Sequence, residues 1–404
     1  TPLLRAGTKD KLLINGHFYS DKSPVPALLL ALVYQVLQWF TGLTARVHPE
    51  TFCYLMTLVS SGLPYVVAVW AVYRMGRLVQ LPLPMRLALT ASFALATVAP
   101  VYARSVNNHI LLLGISAALT LGLAHQADGL QPVGFTWRWL AGLGTLAGLG
   151  YATDLGAGPP LLVCSLGLVA WRCRSGRAVG LFLLGALPWL VLHHAVNYAT
   201  GGTFKPANAV PEYFLWDGCP FTPKNMTGVW NHDGFGGFVV YALALLFGKH
   251  GFVGHNLPLF LALTAMVVLL WRRTVELPEI LFAGCWCGGT WLAYALTSCN
   301  YSGLCCSIRW FVPLLAPAYY VLAVALRRCP EWRGDFLILS GWGAVLTVIA
   351  WCYGPWIRHM VPGFWPLQGM ALLCWLLYRY RAQGQTAMLQ NEQATTPARP
   401  ARAA

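Results

Sequence analysis

The sequence predicts an all-α fold, a polytopic transmembrane helix bundle, and three observations predict it. Only 10% of the 404 residues are charged while 57% are hydrophobic, against about 25% charged in a soluble domain. The apolar residues come in continuous runs, not in the periodic stripes of a soluble helix, and runs of roughly 17–25 residues are the length that crosses a bilayer. The Lys and Arg residues gather in short connections between those runs, as in the cytoplasmic loops of membrane proteins. In hydrocarbon the backbone must satisfy its own polar groups, so the runs are helices.

Residues 1–24 form a polar leader that ends an outer loop. Residues 25–41 are apolar enough to span, but a span there would carry the Arg74–Arg77 connection to the outside. They therefore read as a helix lying in or dipping into the outer interface. Eleven spans follow, at about 51–73, 85–103, 109–126, 139–153, 157–171, 179–198, 256–271, 279–298, 310–326, 336–353 and 363–378, each sized by helical rise against bilayer thickness. The chain opens at Thr1 with no signal peptide, so it reads as N-terminally truncated, with twelve spans if complete. Residues 238–248 are too short to span and read as re-entrant. The transmembrane domain thus covers 25–380, and the polar stretch 381–404 reads as a disordered cytoplasmic tail.

Alternating the spans puts Arg74, Arg77, Arg86, Arg172, Arg174, Arg177, Arg272, Arg273, Arg327, Arg328, Arg333, Arg379 and Arg381 on one side. By the positive-inside rule that side is the cytoplasm. The net charge of +14 is therefore topological and does not point to nucleic acid. The twelve cysteines lie largely within apolar runs and make no disulfide framework. Cys285 and Cys287 read as small core residues, and Cys299, Cys305 and Cys306 share an outer loop with room for one disulfide.

The span centres hold almost no ionisable residue, whereas a coupled transporter needs acids, bases or broken helices at mid-depth. Polar groups crowd the outer ends, so any chemistry belongs there. Lys22 precedes Ser23-Pro24 at the start of the interfacial helix, with Pro favoured in a first helical turn. An ammonium at that depth neutralises a lipid phosphate or simply snorkels. Asn107 and Asn108 read as caps of the next helix, and Asp154 as a turn residue in TDLGAGPP. No HExxH-type spacing marks a metal site.

The stretch NGHFYSDKSP, Asn15 to Pro24, resembles the signature of the large GT-C membrane glycosyltransferases, which include protein O-mannosyltransferases and lipid A aminoarabinose transferases. In that family an acid-Lys-x-Pro element closes the first outer loop, and Asp21 and Lys22 match its pair. Ser23 stands where the family usually has Pro. Asp10, the basic connection Arg74 to Arg77, the group Asn107, Asn108 and His109, and Arg309 with Pro313 and Pro317 match further elements in order. The resemblance implies a polyprenyl-phosphate sugar donor whose phosphate meets Lys22 and Arg309. Asp21, Tyr19, His17, Asn107 and Asn108 would support that site. The family's catalytic acid would fall before Thr1, which leaves Asp10, Asp154 and His109 as acids or bases here. Asn108 and His109 stand where the aminoarabinose branch has a second acid, which argues against aminoarabinose as the sugar.

The expected activity is transfer of a sugar to a lipid, glycan or protein acceptor at the extracytoplasmic face of the plasma (inner) membrane. The expected partners are the lipid-linked donor, membrane lipid and that acceptor. No cofactor is required by the residues, and a divalent cation stays open. A lipid or polysaccharide flippase and a non-catalytic membrane protein are the rival readings.

Overall fold

The computed structural model describes residues 10–125, 136–222, 225–303, 305–357 and 359–395, with side chains as far as 383. The first nine residues of the leader and residues 396–404 of the tail lie outside them.

Every one of the eleven apolar runs coincides with a helical stretch. In chain order the helices are α1 (Pro24–Thr41), α2 (Pro49–Leu78), α3 (Leu83–Leu95), α4 (Ala99–Ala103), α5 (Asn108–Ala124), α6 (Trp137–Thr153), α7 (Gly158–Cys173) and α8 (Gly176–Gly201). They continue as α9 (Gly234–Phe247), α10 (Pro258–Arg272), α11 (Leu277–Thr297), α12 (Leu315–Arg328), α13 (Arg333–Tyr353) and α14 (Phe364–Thr395). Among the described residues six stretches are long and apolar enough to cross a membrane: α1, α2, α8, α11, Arg309–Arg328 and Pro330–Tyr353.

The order of burial defines the bundle. Arg309–Arg328 is its axis, 89% buried, whereas α1 is 6% buried and lies at the rim. A bundle in hydrocarbon needs close backbone contact because apolar burial gains nothing against lipid. Glycines provide it between α6 and α8. A Cβ on Gly144 would lie 1.8 Å from the Phe182 carbonyl oxygen, and one on Gly148 2.5 Å from that of Ala186. Gly114 on α5 meets Pro64 of α2 in the same manner, at 2.7 Å.

Polar contacts between helices tie the bundle together at both ends. At one end Arg172 clamps Glu279 at 2.6 Å, Arg328 reaches Glu276 at 2.8 Å and Arg379 reaches Asp335 at 2.7 Å. At the other end Tyr102 donates to the Ser307 carbonyl at 2.6 Å and Arg104 to the Trp351 carbonyl at 2.7 Å.

The structure adds detail to four of the sequence readings. The leader is not loop throughout. Buried Leu12 and Ile14 alternate with half-buried Lys11 and Leu13, and β1 (Lys11–Ile14) pairs antiparallel with β2 (His17–Ser20) across a turn with Asn15 and Gly16 at positive φ. Leu12 and Ile14 pack with Phe214 and Met226 in a small core apart from the bundle. The fold is thus helical with one added hairpin. Second, α14 runs through the expected disordered stretch as far as Thr395, because Ala, Gln, Met, Leu and Glu sustain a helix without apolar packing. Third, Cys285 faces outward, while Cys287 is partly buried. Fourth, the helical stretch over the expected span 51–73 carries a π segment at Leu58–Gly62 within α2.

Candidate functional site

The polar residues that the sequence placed at outer helix ends meet at the leader end of the bundle. Asp154 follows α6 and precedes α7. Its Oδ1 accepts the backbone N–H groups of Gly156 at 3.0 Å and Ala157 at 2.9 Å, so the carboxylate sits against the start of α7. A negative charge is favourable there. Tyr294 of α11 also donates to Oδ1, at 3.3 Å, and stacks on Trp310 at 4.3 Å. Gly156 has to be glycine, since a Cβ would lie 1.9 Å from the Tyr294 hydroxyl.

The other carboxylate oxygen faces α5. Oδ2 accepts from Asn108 Nδ2 at 3.1 Å and lies 3.0 Å from His109 Nδ1. The His109 contact is close but off the line of a good hydrogen bond, and Nδ1 has no other partner. Asn107 caps α5 by accepting from the His109 backbone at 2.9 Å. Its own N–H donates to Ser61 Oγ at 3.1 Å, and Ser61 donates to the Ser105 carbonyl at 2.7 Å. The π segment of α2 turns Ser61 toward this loop, and such bulges commonly lie at functional places.

Burial alone would raise the Asp154 carboxyl. The close His109 imidazole, with the backbone donors Ala157 and Gly156, outweighs it and holds the group at about 2. Asp154 is therefore an ionised, saturated carboxylate, suited to orienting His109 and not to accepting a proton itself. The arrangement leaves the second imidazole nitrogen, Nε2, as the one available for proton transfer.

The positive charges of Arg309 and Lys22 both act on the His109 ring. Lys22 Nζ donates to Asp21 Oδ2 at 2.6 Å and lies 3.9 Å from Asp10 Oδ2. Arg309 opens the short 3-10 turn Arg309–Leu314 before α12, its backbone N–H donating to Ser302 Oγ at 3.1 Å. Its guanidinium lies over the Trp356 ring at 5.4 Å, and its buried Nε has no partner. The charges of Lys22 and Arg309 thus both act on the imidazole of the imidazole–carboxylate pair. The unused buried Arg309 donor offers an anion a hydrogen bond, while the Lys22 ammonium has Asp21 as its partner.

Asp10, Asp21, Lys22, Asn107, Asn108, His109, Asp154 and Arg309 are thus gathered. His17 is not. It sits at the turn of the hairpin, opposite Ile14, about five residues or roughly 15 Å of extended strand from Lys22. Tyr19 is exposed, 41%, on the same strand. Among the described residues no three His, Cys, Asp or Glu side chains come together at ligand spacing. Cys306 packs beside Tyr102, and burial pushes its thiol up to about 12, which leaves it un-ionised and unreactive. His255 stacks on Phe364 at 4.5 Å, and burial lowers it to about 4.

Sequence reasoning missed Tyr294, Ser61 and the partners of Ser23. The Ser60-Ser61-Gly62 run inside an apolar span is a visible signal for the second. Tyr294 carries none, because its meeting with Asp154 depends on tertiary packing.

The chain is a multi-pass membrane helix bundle with a cluster of ionic side chains at one end. No protein-family model matches the sequence, and no curated protein matches it. Two solved structures do. One is ArnT from Cupriavidus metallidurans bound to undecaprenyl phosphate, 18% identical, with a TM-score of 0.48, over 87% of this chain and 64% of that one. The other is ArnT from Cupriavidus metallidurans in the apo state, 17% identical, TM-score 0.48, over 86% and 58%. The chain therefore spans about three fifths of the length of the structures it resembles.

Proposed function

We propose that this chain is a membrane glycosyltransferase of the GT-C type, moving a sugar from a polyprenyl-phosphate donor to a lipid, glycan or protein acceptor at the extracytoplasmic face. The observation that carries the reading is that the charges of Lys22 and Arg309 both act on His109, whose Nδ1 lies 3.0 Å from Asp154. The exposed apolar helix α1 begins two residues after Lys22, so a lipid tail can lie along it while the phosphate meets the cations.

The chemistry follows from the roles of these groups. The acceptor hydroxyl loses its proton to His109 Nε2, and its oxygen bonds to the anomeric carbon. The bond from that carbon to the phosphate oxygen breaks, and the electron pair leaves with the phosphate. Charge grows on the phosphate in the transition state, where fixed cations lower the barrier most. Asp154 holds His109 and balances the imidazolium, as in other imidazole–carboxylate pairs. Attack opposite the leaving phosphate inverts the anomeric configuration.

The test is sugar release from a panel of polyprenyl-phosphate hexoses in proteoliposomes. Turnover of one donor is expected, with a loss of about a hundredfold in His109→Ala, the usual size of a general-base contribution. Equal turnover by wild type and His109→Ala would remove the mechanism.

A further inference from the structure

His193 of α8 is fully buried and touches the leader, away from the anion-binding face. Its hydrogen bonds fix its tautomer from both sides. Asn197 Nδ2 donates to the His193 carbonyl at 2.8 Å and lies 3.1 Å from His193 Nε2. The Asn197 amide cannot be reversed, because its Oδ1 accepts the Ala207 N–H at 3.1 Å. Nε2 is therefore an acceptor, and the proton is on Nδ1. The other side agrees. Nδ1 lies 3.2 Å from Ser23 Oγ, and the single Ser23 hydroxyl proton is already given to the Ala152 carbonyl. Ser23 Oγ can only accept from His193, so Nδ1 must donate.

Ser23 is also freed for this task by its neighbours. A Ser at a helix N-cap normally accepts from the second or third helical N–H. Here the third helical residue, Pro26, supplies no N–H, the second, Val25, is left uncapped, and Ser23 makes no capping bond. Its hydroxyl instead docks the leader onto α6 and α8.

We infer that neutral His193, held with its proton on Nδ1 by Asn197, is the positioning residue that sets the place of Lys22, acting through Ser23. The inference rests on the proposed phosphate-binding role of Lys22. Lys22 is the neighbour of Ser23, and its backbone N–H is tied back to Ser20 Oγ at 3.2 Å. Fixing Ser23 thus fixes the root of the ammonium. Asn197 in turn is held by Ala207 of the outer loop, so that loop reports to Lys22 through three side chains.

The substitution pair that separates this role from plain packing is His193→Asn and His193→Gln. An Asn amide overlays Nδ1 and can still donate to Ser23, whereas a Gln amide overlays Nε2 and cannot. In lipid nanodiscs, nitrogen-15 spectra of labelled His and Lys would read the His193 tautomer and the Lys22 ammonium signal. Binding of undecaprenyl phosphate would be measured on the same samples. The expected result is an Nδ1–H tautomer in wild type, an unmoved Lys22 signal in His193→Asn and a displaced one in His193→Gln. Affinity should hold in the first variant and fall about fivefold in the second, the net worth of one hydrogen bond. An Nε2–H tautomer, or a Lys22 signal unmoved in both variants, overturns the inference. If wild type binds no undecaprenyl phosphate while the Lys22 signal behaves as expected, the phosphate reading fails and the positioning role stands.

Discussion

Replacing Asp154 tests the site where its construction is most specific. The carboxylate accepts from two backbone N–H groups, the Asn108 amide and the Tyr294 hydroxyl, and faces His109. Asp154→Ala would leave four buried donors without an acceptor. Each orphaned group costs about 1–3 kcal/mol, and relaxation keeps the sum below simple addition. We expect about 4–5 kcal/mol of destabilisation, the upper end for a single substitution. Asp154→Asn separates shape from charge. Its oxygen can still accept from Gly156 and Ala157, but its NH2 then faces the Asn108 NH2 and His109 Nδ1. That mismatch should cost about 2 kcal/mol, the worth of one hydrogen bond to a charged group. Thermal unfolding of the purified protein in one detergent gives the ranking directly. Wild type should be most stable, Asn intermediate and Ala least. If Asp154→Asn melts with wild type, the carboxylate charge contributes nothing and the pairing with His109 is wrong.

Two further outcomes follow from the same structure. Asp154 is held at about 2, below its unfolded value. As pH falls the unfolded chain binds this proton first, so the stabilisation is present above about pH 4 and is lost toward pH 2. The loss should reach about 2 kcal/mol, seen as an infrared carboxyl band that appears only below about pH 3 and is absent in Asp154→Asn. Gly144→Ala should destabilise the α6–α8 contact by about 1–3 kcal/mol, because its Cβ meets the Phe182 backbone. Gly142→Ala, which meets nothing within 4 Å, should melt with wild type or slightly above it; equal losses in both would show that close packing at Gly144 is not the cause.

The helices were legible because the membrane makes one demand, a long apolar run, and six described stretches meet it in full. Their ends were legible for the same reason, since polar residues such as Asn107 or Asp154 interrupt the runs. That Asp154 and His109 touch was not. They stand 45 positions apart, and which of several outer polar groups meet depends on helix rotation, which apolar runs free of polar residues do not encode. The hairpin was hidden by its size, as two four-residue strands give a weak alternation signal. The π segment was hidden because it changes the bonding of Leu58–Gly62 and not their composition. Ser23 looked like a small departure from a motif, yet its hydroxyl ties the leader to α6 and α8.

The central claim is that Lys22 and Arg309 hold a lipid-linked phosphate beside His109. The most direct measurement is the affinity of undecaprenyl phosphate for wild type, Lys22→Ala and Arg309→Ala in one nanodisc composition. The account predicts binding by wild type and a loss of about tenfold or more in each variant, about 1.4 kcal/mol, with folding shown intact by the melting temperature. Equal affinities across the three proteins, or no binding by any, would contradict it.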